Sequence, residues 1–164
     1  MQIVDKDKYI LTMLVENEPG VTARITGLFA GRGYNIETIC GAPTANPKMS
    51  RITITTKTNP NQLDQCMKQI KRLINVIKLR DMTNDYAIKR EMALICVKAD
   101  TENREVIKKI IDSYNGIIVD ESEQFLIFEV TGNEYAIDEL LSVLELYGIT
   151  KLARSGVLAL YKES

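Results

Sequence analysis

Two hydrophobic periods alternate along this chain and change over at regular intervals. Residues 9–15 carry a mostly apolar run, Leu11 to Val15, between polar flanks, the pattern of a buried strand. Glu16, Asn17, Glu18, Pro19 and Gly20 then crowd turn and helix-start residues together. After them Val21, Ile25, Leu28 and Phe29 fall at i, i+4, i+7 and i+8, one face of a helix expected over 19–32. Gly33 stands where a left-handed residue would end that helix. Residues 34–41 read as a second strand, 42–50 with Pro43 and Pro47 as a loop, and 51–56 as a half-exposed strand of alternating character. Asn59 and Pro60 open a second helix whose Leu63, Cys66, Met67, Ile70, Leu73 and Ile74 keep helical spacing, and 76–79 supplies a fourth strand.

That βαββαβ order returns after 83–90, the most linker-like stretch. Residues 92–98 form a strand, and 102–114 a helix with Val106, Ile107, Ile110, Ile111 and Tyr114 on one face, stopped at Asn115 and Gly116. Strands follow at 117–119 and 125–130. Thr131, Gly132 and Asn133 lead into a helix with Ile137, Leu140, Leu141 and Leu144 inward, Gly148 ends it, and 149–152 and 157–161 give the last strand material. The expected fold is α+β: two ferredoxin-like βαββαβ units in tandem, with antiparallel sheets and helices on one face. The expected domains are 1–82 and 91–164, joined by the linker 83–90. Each small sheet leaves one face uncovered, so a homodimer is expected.

Composition then removes most chemistries. Lys and Arg number 21 against 22 Asp and Glu, so no overall field favours nucleic acid or an anionic membrane. The chain has no apolar leader and no 18-residue apolar span, and a soluble, cytoplasmic protein is expected. Cys40, Cys66 and Cys96 are far apart and read as reduced thiols filling the core. With no histidine and no CxxC pair, a zinc site, a Ser-His or Cys-His couple and a histidine base are all excluded. The third strand offers Arg51, Ile52, Thr53, Ile54 and Thr55, with no aromatic for base stacking. Glu16 and Glu18 straddle a turn and read as solvated turn residues rather than a catalytic pair.

What remains is the junction around Asn17. A strand–turn–helix junction aims the free N–H groups of the first helical turn at whatever lies in front, which suits a carboxylate. Asn17 in the turn and Asn35 at the start of the second strand carry amides that both donate and accept. Brought to one end of the sheet, they would suit a zwitterion: carboxylate on the N–H groups of Gly20 and Val21, ammonium on amide oxygens. Val21, Ile36 and Ala42 would take a side chain, and a Cβ on Gly20 would crowd the ligand. The plainer alternative is that both asparagines satisfy turns, and the residues alone leave both open.

The segments 11–20 (LTMLVENEPG), 27–37 (GLFAGRGYNIE), 42–44 (APT) and 50–54 (SRITI) resemble the regulatory small subunit of acetolactate synthase, also called acetohydroxyacid synthase. Its first unit is an ACT domain, a small amino-acid-sensing module. The likeness continues through 76–79 (VIKL), 89–95 (KREMALI), 119–120 (VD), 129–132 (EVTG) and 153–156 (ARSG), nearly the whole chain. The resemblance implies a non-catalytic protein bound to a separate catalytic subunit that carries thiamine diphosphate, magnesium and FAD, with no cofactor on this chain. It implies activation of that subunit and feedback inhibition in branched-chain amino-acid synthesis, most often by valine. In the family the effector sits between the ACT domains of a dimer, at positions matching Asn17, Gly20 and Asn35. Thr22 replaces an apolar residue usual in the family, and Ile39, Cys40 and Gly41 stand where Leu-Thr-Val is commoner. A stand-alone amino-acid sensor acting on a different enzyme is the alternative. The second unit's first turn, 99–104, lacks the glycine and is expected to bind no effector.

Overall fold

The computed structural model describes residues 7–83 and 86–162, which form two compact units. In the first, β1 (Lys8–Glu16) is flanked by β3 (Met49–Lys57) and β4 (Val76–Asp81), with β2 (Ile36–Pro43) outside β3 and every pairing antiparallel. Alternation along β1 turns Leu11, Met13 and Val15 toward α1 (Val21–Ala30) and α2 (Pro60–Ile70). There they bury against Val21, Ile25 and Phe29 of α1 and Leu63, Cys66 and Ile70 of α2. Burial pushes the Cys66 thiol up, with Arg32 opposing, so it sits as a neutral core filler.

Local chemistry sets the helix ends. After α1, Gly33 at φ 69° lets its N–H reach Ala30 C=O and the Tyr34 N–H reach Phe29 C=O, a Schellman closure. At the start of α2, Asn59 and Gln62 cap each other reciprocally, with Pro60 in the first turn.

The second unit repeats the order, with β5 (Ala87–Lys98) between β7 (Phe125–Gly132) and β8 (Ile149–Arg154), and β6 (Ile117–Glu121) outside β7. Its helices α3 (Arg104–Ser113) and α4 (Glu134–Leu144) bring Ile107, Ile111, Ile137, Leu140 and Leu144 onto Ile95, Val97, Leu126 and Phe128. Here Asn115 takes the left-handed position at φ 55°, and a Cβ on Gly116 would stand 2.7 Å from Ile111 Cγ2. The two units are thus the tandem ferredoxin-like α+β repeats that the sequence pattern describes. No helix among the described residues is long and apolar enough to cross a membrane.

Several boundaries differ from expectation. α2 ends at Ile70, so Ile74 lies off its face and is 88% exposed. β2 and β3 extend into the expected 42–50 loop. α3 begins at Arg104 rather than 102, because Asp100 Oδ1 accepts from the N–H groups of Glu102 and Asn103 and holds them in a turn. β5 begins at Ala87, within the expected linker, of which Asn84 and Asp85 lie outside the described residues. The C-terminal segment from Val157, expected in the second domain, clusters with the first unit, where Val157 and Ala159 bury against Ile10, Met82 and Ala87. Within it β9 (Leu158–Tyr161) leads to Lys162, whose N–H donates to Tyr86 C=O.

One ion pair fastens the second unit. Arg154 Nε and Nη2 donate to the two oxygens of Glu91 at 2.8 and 2.7 Å, and Nη1 donates to Asp138 of α4 at 2.7 Å. The Glu91 hydrogen bonds hold Arg154 protonated against the opposing effect of burial, with Asp138 assisting. Glu91 is only 2% exposed. Removing the guanidinium strands a buried carboxylate, so Arg154→Ala is expected to cost about 3–5 kcal/mol in urea unfolding, much of it recovered in Glu91→Leu/Arg154→Met. A loss below about 1 kcal/mol would mean that water solvates Glu91 once Arg154 is gone.

Candidate functional site

β1 runs into the turn 17–20, and Gly20 at φ 84° redirects the backbone into α1. A cleft of about 410 Å³ opens here, lined by Glu16, Asn17 and Glu18 of the turn, Val21 and Thr22 of α1, and Ile39, Gly41, Ala42 and Pro43 of β2. Val15, Ser50 and Ile52 complete the lining. Asn17 joins its two sides. Its backbone N–H donates to Lys48 C=O at 2.8 Å and its Nδ2 to Pro47 C=O at 2.9 Å, tying the turn to the β2–β3 hairpin. No described residue donates to Asn17 Oδ1, which stays available as an acceptor.

α1 differs from α2 and α4 at the N-terminus. Asn59 caps α2 and Asn133 caps α4, each accepting from a backbone N–H. α1 has Gly20 at its N-cap, no side-chain cap and no acidic residue in its first turn. No side chain of its N-cap or first turn therefore offsets the positive end of its dipole. The first helical bond runs from Arg24 N–H to Gly20 C=O at 3.0 Å, and the Val21 N–H makes only a long bond, 3.4 Å, to Glu18 C=O. Gly20 is required for its backbone angle. An added Cβ would meet nothing nearer than Arg24 Nη2 at 3.9 Å, so crowding within the chain is not the reason.

Three of the six expected residues, Asn17, Val21 and Ala42, line the cleft, and Gly20 sits in its turn. Asn35 and Ile36 do not. β3 separates β1 from β2 and runs antiparallel to both, so β1 and β2 point the same way. Ser50 of β3 pairs with Val15 and Pro43 at the cleft end, whereas Thr56 pairs with Tyr9 and Ile36 at the other end. Those rows are roughly 20 Å apart at the usual strand rise. Asn35 is exposed at the far end, its C=O accepting from Thr56 Oγ1 at 2.6 Å, and Ile36 packs onto the core. The expectation that Asn17 and Asn35 share one end of the sheet therefore fails within a single chain.

Glu16 departs from the reading as a solvated turn residue, whereas Glu18 is exposed as expected. Asn75, 7% exposed, donates from Nδ2 to Glu16 Oε2 at 2.6 Å and to Glu18 Oε2 at 3.4 Å, and its Oδ1 accepts from Arg24 Nη1. Its backbone C=O accepts from the Glu16 N–H at 2.9 Å. Asn75 and Arg24 were not legible as site residues, because Asn75 reads as an ordinary turn residue before β4. In the second unit the matching turn is filled by its own side chains: Arg104 Nη2 donates to the carbonyls of Ala99 and Ser122.

Residues 11–78 match the family described as AHAS small subunit-like ACT domain, and residues 90–163 the family described as small subunit of acetolactate synthase. The chain is 40% identical over 151 residues to the acetolactate synthase small subunit of Mycolicibacterium smegmatis, covering 92% of this chain and 89% of that protein. It is 38% identical over 152 residues to that of Mycobacterium bovis, covering 93% and 90%. The crystal structure of the acetolactate synthase small subunit from Thermotoga maritima superposes with a TM-score of 0.87 at 31% identity, covering 96% of this chain and 98% of that one.

The polar frame under the turn is directly measurable. Asn75→Ala leaves Arg24 and two carboxylates without their partner, a cost of about 1–3 kcal/mol. Amide hydrogen exchange is expected to speed up across 16–24 while the β5 and β7 core amides keep their rates. Unchanged exchange across the turn would show that Asn75 does not hold it.

Proposed function

This chain belongs to the family of acetolactate synthase small subunits, and from that premise we propose that it activates a separate catalytic subunit and makes it sensitive to a branched-chain amino acid, valine foremost. The catalytic partner holds thiamine diphosphate, magnesium and FAD, and this chain, cytoplasmic and non-catalytic, supplies the sensor for valine, leucine and isoleucine synthesis. The observation that carries the reading is the cleft at the uncapped N-terminus of α1, bounded by Asn17, Val21 and Ala42. An effector carboxylate faces that N-terminus, where fixed N–H groups and the helix dipole favour an anion. Its ammonium reaches Asn17 Oδ1, and its branched side chain lies toward Val21 and Ala42. Thr22 and Gly41, the family departures, also border this cleft and bear on which side chain fits.

The geometry of the sheet gives the dimer its role. Because Asn35 and Ile36 stand at the far end from Asn17 and Gly20, one ligand meets both sets only if they come from two copies of the chain. The proposed site is therefore composite, with Asn17, Gly20, Val21 and Ala42 from one protomer and Asn35 and Ile36 from its partner. Such a ligand shifts the complex only by its differential affinity for two states, a coupling of about 1–3 kcal/mol.

The test is acetolactate formation by the catalytic subunit of the same genome, with and without this chain and each branched-chain amino acid. The chain is expected to raise the rate and valine to lower it again. No effect of any kind would move the reading to a sensor for a different enzyme. Gly20→Asp puts a side chain on a φ of 84° and a negative charge beside the N–H groups an effector needs, and feedback is expected to vanish with activation retained. Asn35→Ala is expected to weaken inhibition about tenfold while leaving activation. Full valine inhibition of Gly20→Asp would sink the site assignment. Mixing Asn17→Ala with Asn35→Ala chains is expected to restore part of the inhibition, since a composite heterodimer keeps one intact site, and no restoration would place both residues in one protomer's site.

A further inference from the structure

The open face of the first unit's sheet carries a second cleft, of about 360 Å³, which shares no lining residue with the first. Its floor is Thr12 and Leu14 of β1, and Leu160, Tyr161 and Lys162 form one wall. The strand register places its cations. Leu14 pairs with Arg51 on one side and Lys78 on the other, and in the next row of that face Thr12 pairs with Arg80. Lys78 and Arg80 thus stand two residues apart on one face of β4, Arg51 stands on the same surface across β1, and Lys162 joins them from the wall.

Among the described residues none of these four cations forms an ion pair, and no carboxylate lines the cleft. The acids on adjoining strand positions are engaged elsewhere, Asp81 by Thr83 and Glu16 by Asn75. Arg80 is held in place by the Tyr161 ring, with its guanidinium 4.7 Å from the ring centroid. Beneath it Thr12, 3% exposed, shares a 3.1 Å hydroxyl contact with Thr53. Like charges on neighbouring strand positions destabilise a sheet. A chain of formal net charge −1 that nonetheless concentrates cations in a concave, pre-formed site leaves a counter-charge to be supplied from outside.

We infer that this cleft binds a small phosphorylated anion carrying at least two negative charges. Two guanidinium groups offer bidentate forks to phosphoryl oxygens and the two ammonium groups act as point charges. The cleft's size suits a small metabolite, and its chemistry is independent of the effector reading.

The test is calorimetric titration of the full chain with inorganic phosphate, pyrophosphate and citrate at about 0.15 M ionic strength, where diffuse surface attraction is screened. One saturable site is expected, tightest for pyrophosphate. Lys78→Gln and Arg80→Gln should each weaken it about tenfold or more, the loss of one charge-assisted hydrogen bond. The exposed Lys109→Gln should leave it unchanged. The ligand-free melting temperature of the first two variants should hold or rise, because repulsion is relieved. Absence of saturable binding would overturn the inference, as would binding undiminished in both variants, an adventitious ion only. Citrate binding as tightly as pyrophosphate would overturn the phosphoryl assignment. Loss of activation in these variants with no anion bound would make the face a docking surface for an acidic protein instead.

Discussion

The insertion of β3 between β1 and β2 is the constraint from which the functional surface of the first unit follows. Antiparallel pairing on both sides makes β1 and β2 parallel, so the β1–α1 turn comes to rest beside the end of β2 and not its beginning. The same register sets Arg51 across from Leu14 on the face the helices leave bare. One strand order thus fixes where the cleft beside α1 opens, why Asn35 stands far from Asn17, and where the unpaired cations gather.

The fold was legible in the sequence because it is carried by period. Apolar spacing in the helices and alternation in the strands report which side of each element is buried, and both survive in the structure as continuous clusters. Boundaries were less legible where a side chain competes for the backbone, as Asp100 does before α3. Within the candidate site, Asn17 and Gly20 could be read because local turn chemistry demands them. Asn35 was misplaced because its position depends on which strand lies between β1 and β2, a long-range fact that spacing does not encode. Asn75 was missed for the same reason: it meets Glu16 and Glu18 from 59 and 57 residues away. A pairing of that separation leaves no periodic trace.

α2 and α4 carry asparagine side-chain caps and α1 and α3 do not, while all four bury apolar residues against their sheets. The core supplies the stability that lets α1 and the basic cleft remain polar and unsatisfied, the usual relation between a fold and the sites it carries.

The first unit is discontinuous in sequence, since its core near Ile10, Met82 and Ala87 is finished by Val157 and Ala159. A ribosome makes those closing residues after the whole of the second unit. The second unit, whose chain is contiguous from Lys89 to Gly156, has all its residues before the first does. Synthesis and completion therefore run in opposite orders along this chain: the first unit begins first and closes second, and its apolar end stays open until the second unit has been made. A chain ending at Gly156 would thus leave the first unit open and the second unit whole.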